Sequence, residues 1–427
     1  MSSLSEKDKQ HVWHPFTQAK TALPPLVINR AEGVWLYSED GKKYMDVNSS
    51  WWTNIHGHGN KYIADKIRDQ FLELDHVIFA GATHPKAIEL SERILKLLRG
   101  DFQKVFFSDN GSTSVEVAIK MVYQYWFNKG ISKKRFLAIE GAYHGDTFGA
   151  MSVGQRGNFN QPFEHLFFEV DFIPFPTSEN QADVLNSVEA LFKTGEFAGF
   201  IFEPLIQGAA GMRIYDSDFL NIAIELAKKY QVLTIADEVM TGFYRTGTAF
   251  AIQQTEARPD VICLSKGLTG GVLPLGLTVS TNEIYNAFLA DETAKALLHG
   301  HSFTGNALAC ASSCASLDLL LTDNTASYVQ RITTAHQRFV AEHKNNPVFE
   351  SVNSLGTILS ITLKTAEGNS YFQQIRDRAY QYFLAHGFLI RPLGNVVFVN
   401  PPYCITGEEL ESVYKVILDF SASLKNQ

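Results

Sequence analysis

An α/β fold is the class this sequence predicts: a large domain on a mainly parallel central sheet, joined to a smaller α+β domain. Three observations predict it. Short apolar runs alternate with helical patterns through the middle of the chain. Those runs lack polar alternation, as expected of strands buried on both faces. The chain has 427 residues, more than one typical core needs, so about two or three domains are expected.

Taken in order, the first 45 residues carry Asp40-Gly41, a hairpin signal between Val34-Trp35-Leu36-Tyr37 and Lys43-Tyr44-Met45. Residues 1–48 are therefore assigned to a segment packing with the small domain. Residues 49–316 form the large domain, with strands at Val105-Phe107, Phe136-Ile139, Gly199-Phe202, Val232-Ala236 and Val261-Leu264. After Ser108-Asp109-Asn110-Gly111-Ser112 a helix is expected, because Val115, Ala118, Ile119, Val122 and Trp126 keep helical spacing. Thr113 and Glu116 are spaced to form a capping box at its start. Residues 317–427 read as the small domain: a helix, the strand Ile358-Leu363, a second helix from Tyr371 to His386, and two strands flanking Pro392-Leu393-Gly394-Asn395.

Composition narrows the function classes. Hydrophobic residues at 45% and charged residues at 19% argue for a folded chain, and 31 Phe with 16 Tyr argue for aromatic packing. A formal charge of -8 without a Lys/Arg block predicts no nucleic-acid or anionic-membrane partner, and favours a small-molecule substrate. The start of the chain lacks the apolar stretch of a signal peptide and no run reaches the roughly 18 apolar residues of a membrane span, so a cytoplasmic protein is expected. Cys263, Cys310, Cys314 and Cys404 are too sparse for a disulfide framework. His56-Gly57-His58 lacks a third ligand nearby, and no metal is expected.

The chemistry is concentrated at the ends of the predicted strands. Ser108-Asp109-Asn110, Glu203, Asp237 and Ser265-Lys266 each follow an apolar run, and ligands of open α/β sheets bind outside the carboxyl ends of the strands. The loop through Gly111-Ser112 feeds a helix N-terminus, whose free N–H groups and positive dipole end suit a phosphate. Alone, Asp237 reads as a cap or ion-pair residue and Lys266 as a surface lysine. Twenty-nine residues apart, one βαβ crossover, they suggest pyridoxal 5'-phosphate. That cofactor needs a lysine to hold its aldehyde as a Schiff base and a carboxylate to keep its ring nitrogen protonated.

Asn110-Gly111-Ser112-Thr-Ser-Val-Glu116, Gly141-Ala-Tyr143-His144-Gly145, Phe202-Glu203-Pro204, Ala236-Asp237-Glu238, Arg245-Thr-Gly247, Ser265-Lys266-Gly267 and Gly300-His-Ser302-Phe-Thr-Gly305-Asn306 occur in that order. In these strings the chain resembles the class III aminotransferases of fold type I, over nearly its whole length. Trp13-His14-Pro15, Ser49-Ser50-Trp51-Trp52, Ile55-His56-Gly57-His58-Gly59 and Arg391-Pro392-Leu393-Gly394 resemble the branch that aminates 8-amino-7-oxononanoate in biotin synthesis.

The resemblance implies that Lys266 is the Schiff-base lysine and proton shuttle, that Asp237 partners the pyridine nitrogen, and that Tyr143 stacks on the cofactor ring and faces substrate. It implies that Gly111 and Ser112 hold the phosphate from one subunit of a homodimer, while Ser302, with His301 beside it, reaches the phosphate from the other. Phe16, Trp51, Trp52, Tyr143, Gly300, Arg391 and Phe398 are the expected substrate contacts. Within them the Trp pair fits the wall for an aliphatic chain, and the planar Arg391 fork suits a carboxylate. Arg245 is expected to be a structural anchor. Phe16 and Phe398 stand where adenosylmethionine-using enzymes carry Tyr, and His301-Ser302 where Pro-Thr is expected; a lysine-using subgroup resembles the chain at Phe16 and His301. The expected donor is S-adenosylmethionine, with lysine, or another ω-amino-acid or diamine reaction, as the alternatives.

Overall fold

The computed structural model describes residues 3–98, 100–365 and 374–424. Its largest sheet has seven strands: β1 Phe102–Ser108, β2 Arg135–Ile139, β3 Val170–Ile173, β4 Phe197–Phe202, β5 Leu233–Asp237, β6 Val261–Leu264 and β7 Gly276–Thr281. Their order across the sheet is β1-β7-β6-β5-β4-β2-β3. Only β7 runs against its neighbours; the other pairings are parallel. The carboxyl ends of the remaining six strands therefore share one edge.

Both faces of the sheet are covered, which is why the strands read as apolar runs. Val115, Ala118, Ile119 and Val122 of the Gly111–Asn128 helix pack with Ile201, Ile235 and Val261 on one face. Phe219, Leu220 and Ile224 of the Ser217–Lys229 helix pack with Phe200, Phe202 and Ile262 on the other. Phe200 and Phe202 are fully buried, and replacing either with Ala costs about 3–5 kcal/mol through lost contacts and the cavity left behind. The sheet is thus a rigid base for whatever its edge presents.

Ahead of it, Trp35–Ser38 and Lys43–Asp46 pair antiparallel around the Asp40-Gly41 turn, and Lys43–Asp46 pairs parallel with Phe388–Leu389 from the far end of the chain. A three-stranded antiparallel sheet, Phe349–Leu355, Ile358–Leu363 and Val396–Val399, packs with the helices Asp323–His343 and Gly407–Leu424. The helix Ala307–Leu320 continues past residue 316, the boundary expected from sequence, and the next helix begins at Asp323. The helix expected from Tyr371 spans Gln374–Ala385, Tyr371 itself lying outside the described residues. Among the described residues no helix is long and apolar enough to cross a membrane.

Candidate active site

Register sets the site. Asp237 pairs with Cys263 across β5 and β6, so Asp237 and Lys266 leave the ends of adjacent strands. Phe202 pairs with Ala236, which puts Glu203 at the end of the next strand. Gly276 pairs with Ser108, carrying Asp109 and Asn110 to the same edge. A cavity of about 590 Å³ opens there, lined by Trp52, Asp109, Gly111, Ser112, Tyr143, His144, Glu203, Asp237 and Lys266 among others. That volume suits a cofactor and a small substrate.

At one end is the N-terminus of the Gly111–Asn128 helix, whose first N–H groups have no partner within the helix. The cap is Asn110, not the expected Thr113–Glu116 box: Asn110 Oδ1 accepts from Thr113 N at 2.9 Å, and Thr113 Oγ1 accepts from Asn110 N at 3.1 Å. Glu116 instead accepts from Gly149 N at 3.0 Å, pinning the following loop. Competition from a side chain better placed at the first turn explains the difference. Gly145 has φ +125°, and a Cβ there would stand 2.1 Å from Ser112 Oγ. This close approach keeps the loop against the helix start.

In the middle lie the ionisable groups. Asp237 Oδ2 is 2.7 Å from His144 Nδ1 and its Oδ1 accepts from Val239 N at 3.1 Å, both residues being buried. Glu203, buried beside them, accepts from Tyr143 N at 3.1 Å and Gly208 N at 2.9 Å. Burial pushes its carboxyl up to about 7 despite the opposing pull of His144 and those two donors. Lys266 takes a left-handed φ of 48° at the turn after β6, a strained backbone of the kind that collects at functional sites. Burial lowers its amine from the ordinary 10.5 to about 8, with Asp237 and Glu203 opposing the shift. Its Nζ lies 4.7 Å from the centre of the Trp52 ring.

The aromatic wall is built by a backbone oddity. Ser49, Ser50, Trp51 and Trp52 have φ of 48°, 46°, 72° and 70°, a left-handed turn without glycine. Such a conformation costs about 1–2 kcal/mol per residue. Trp52 is buried against Phe398, ring centres 5.9 Å apart, while Trp51 is part-exposed between Phe16 at 5.6 Å and the Arg391 guanidinium at 4.7 Å. Arg245 is fully buried; its Nη1 donates to Asn400 Oδ1 and Pro401 O, and its Nη2 to Trp52 O and Asn54 O. It is an anchor behind the wall.

The cavity thus brings together Gly111, Ser112, Tyr143, Asp237, Lys266 and Trp52, with Phe398 against Trp52, and Phe16 and Arg391 against the neighbouring Trp51. It does not bring in Gly300, His301 or Ser302: the Ser302 carbonyl meets His76 Nε2 at 2.7 Å instead. His56 bonds Ser316 Oγ at 2.9 Å and His58 bonds Asp46 Oδ2 at 2.9 Å, so each histidine of the His-Gly-His string has a separate partner. The strand-end pattern gives Glu203 no role, and the sequence signals His144 only through the Gly141–Gly145 string.

These groups fit pyridoxal phosphate. The helix start and Ser112 offer N–H and hydroxyl groups for a phosphate, Asp237 a buried carboxylate for a cationic ring nitrogen, and Lys266 a partly neutral amine for an aldehyde. The Trp52 indole N–H is buried and has no hydrogen-bond partner among the described residues.

The aminotransferase class-III family model matches residues 16–420. The chain is 45% identical over 420 residues to the adenosylmethionine-8-amino-7-oxononanoate aminotransferase of Synechococcus elongatus, covering 96% of this chain and 98% of that protein. With the Helicobacter pylori protein of the same name it shares 36% over 441 residues, 99% and 98% covered. The crystal structure of adenosylmethionine-8-amino-7-oxononanoate aminotransferase from Methanocaldococcus jannaschii superposes with TM-score 0.90 at 35% identity, covering 97% of this chain and 98% of that one. An omega transaminase from Pseudomonas jessenii in complex with PMP superposes with TM-score 0.91 at 25% identity, 99% of each chain being covered. On fold, rim and these likenesses together, the chain belongs to the class-III aminotransferases, pyridoxal phosphate-dependent enzymes of fold type I.

Proposed function

We propose that this protein transfers an amino group to the keto group of 8-amino-7-oxononanoate, giving 7,8-diaminononanoate for biotin synthesis, with S-adenosylmethionine as donor. The observation that carries the acceptor is the wall beside Lys266. The Trp52 ring centre stands 4.7 Å from the lysine amine, and Trp51 contacts both the Phe16 ring and the Arg391 guanidinium. A nine-carbon acid has a long apolar chain for the indoles and a carboxylate for the guanidinium. The relatives from Synechococcus and Helicobacter bear the name of this reaction.

Bound pyridoxal phosphate supplies an aldehyde that condenses with amines and a ring that withdraws electrons from the attached carbon. Asp237 would hold the ring nitrogen in its protonated form, and His144, hydrogen-bonded to the same carboxylate, fixes the orientation of that side chain. Tyr143 would line the ring, and Gly111 and Ser112 would hold the phosphate. Lys266 would hold the aldehyde and would be the base and acid that moves a proton at Nζ to and from the donor carbon. Its amine, lowered by burial to about 8, gives up its proton far more readily near neutral pH than an ordinary lysine. In the half-reaction with the keto acceptor the same Nζ would deliver the proton to the acceptor carbon.

The protein works as a homodimer in the cytoplasm, each phosphate completed by His301 and Ser302 of the other subunit. Two facts support the dimer: those residues stand away from their own subunit's cavity, and Leu298 and Phe303 around them are exposed apolar side chains, at 71% and 63%. A second reading keeps the acceptor and takes lysine as donor. It is favoured by Phe16 and Phe398, which face the wall without the hydroxyl that would bond a polar donor. The test is purified holoprotein with 8-amino-7-oxononanoate and S-adenosylmethionine, lysine or ornithine, reading 7,8-diaminononanoate. Product with S-adenosylmethionine alone supports the first reading and product with lysine alone the second. No product with any donor refutes the acceptor.

A further inference from the structure

The left-handed turn at Ser49–Trp52 must be held by something outside itself, because none of its residues is a glycine that would adopt it freely. The surrounding bonds converge on one carboxylate. Asp46, completely buried, accepts at Oδ2 from Ser50 Oγ at 2.7 Å and from His58 Nε2 at 2.9 Å, and at Oδ1 from Asn48 N at 3.2 Å. Asn54 Nδ2 donates to His58 Nδ1 at 3.2 Å, which leaves the ring proton on Nε2, facing Asp46. The His58 backbone is tied in turn to Gly33 by bonds of 3.0 and 2.7 Å.

Asn48, the residue before the turn, links it to the rest of the wall. Its Nδ2 donates to the Phe398 carbonyl at 2.9 Å and its Oδ1 accepts from Arg391 N at 2.7 Å. The turn, the guanidinium and the Phe398 ring therefore share one support. We propose that Asp46, with His58, is a positioning residue for substrate: it latches the Ser49–Trp52 turn in its left-handed form and so presents Trp51 and Trp52 beside Lys266 and in register with Arg391. The acceptor used in the test rests on the function proposed above; the latch itself does not.

Asp46→Asn keeps the shape and the Oδ1 acceptor but puts an amide where Ser50 and His58 both donate. In the holoenzyme it is expected to raise KM for 8-amino-7-oxononanoate about tenfold or more, on the scale of lost bonds to a charged group. The expected change in kcat is below about threefold, with the visible absorbance of the cofactor and its occupancy unchanged, because Asp46 touches neither Lys266 nor Asp237. Adding Ser50→Gly, which removes the steric cost of the left-handed backbone, should recover about threefold or more of the loss. Ser50→Ala alone, which keeps Asp46 and the fold, should raise KM by about threefold. In Asp46→Asn, near-ultraviolet circular dichroism should lose the share of its tryptophan signal that Trp51→Phe and Trp52→Phe remove, and regain it in the double variant.

An unchanged KM in Asp46→Asn and Ser50→Ala overturns the latch. So does a joint loss of cofactor, kcat and KM that Ser50→Gly does not relieve, which marks Asp46 as a general folding residue. If the wild-type protein does not turn over this keto acid, the acceptor reading falls, and the signal of Trp51 and Trp52 decides the latch: that share of the spectrum unchanged in Asp46→Asn refutes it.

Discussion

Lys266 is held at the floor of the cavity at a cost that can be measured. Its amine falls from 10.5 in an ordinary lysine to about 8 because burial disfavours the charged form, Asp237 and Glu203 repaying only part. Between those two pH values the unfolded chain binds a proton that the folded chain does not, so stability rises with pH through that window and is lower below it. A gap of about 2.5 pH units corresponds to about 3 kcal/mol. The cavity leaves the side chain partly open to water, which screens the charge, so about 2 kcal/mol is expected. Lys266→Met keeps the apolar stem and removes the ammonium. The cofactor-free variant should therefore unfold about 2 °C above cofactor-free wild type at pH 7, on the usual entropy per residue for a chain of this length. At pH 10.5 the difference should shrink by more than half. Thermal unfolding of both apoproteins across pH 7 to 10.5 is the assay. A Met variant no more stable than wild type at pH 7, or an advantage that does not change with pH, refutes the idea that burial sets the amine.

Gly145→Ala places a methyl 2.1 Å from Ser112 Oγ at a φ of +125°, and should weaken cofactor binding about tenfold or more, read by spectral titration of the apoprotein with pyridoxal phosphate. Arg391→Ala removes the guanidinium over Trp51; KM for a carboxylate-bearing acceptor should rise about 10–100-fold while the rate of the donor half-reaction holds, in stopped-flow measurements. Glu203, raised by burial from 4.5 to about 7, stays protonated in the fold where the unfolded chain has lost its proton, so stability contributed by the neutral form declines as pH rises from 4.5 to 7. Glu203→Gln should flatten that decline in chemical denaturation, leaving the share due to the similarly raised Glu238; an unchanged slope contradicts it.

The parallel part of the sheet was legible because strands covered on both faces leave uninterrupted apolar runs. The chemistry was legible because the residues that break those runs, Glu203, Asp237 and Lys266, are the ones the strand ends present. Two strands escaped. β7, Gly-Leu-Thr-Val-Ser-Thr, alternates polar residues with apolar ones and buries Thr278 by bonding its Oγ1 to Ser114 O at 2.7 Å, and so lacks an apolar run. β3, Val-Asp-Phe-Ile at the sheet edge, is short and carries an acid. The capping box was misplaced by three residues because Asn110, Thr113 and Glu116 all have the right chemistry, and only the loop to Gly149 decides which is taken. The left-handed turn left no local signal, since Ser and Trp do not favour that backbone; its cause lies in Asp46 and His58, brought together by folding. The His144–Asp237 bond spans 93 residues and is equally invisible to local pattern.

The central claim is that the end of β6 holds the cofactor through Lys266. It is tested most directly by reducing the holoprotein with borohydride and mapping the modified peptide by mass spectrometry. One phosphopyridoxyl group per chain, on Lys266, is the predicted result. The same group on another lysine, or a protein that takes up pyridoxal phosphate without any reducible link, would contradict it.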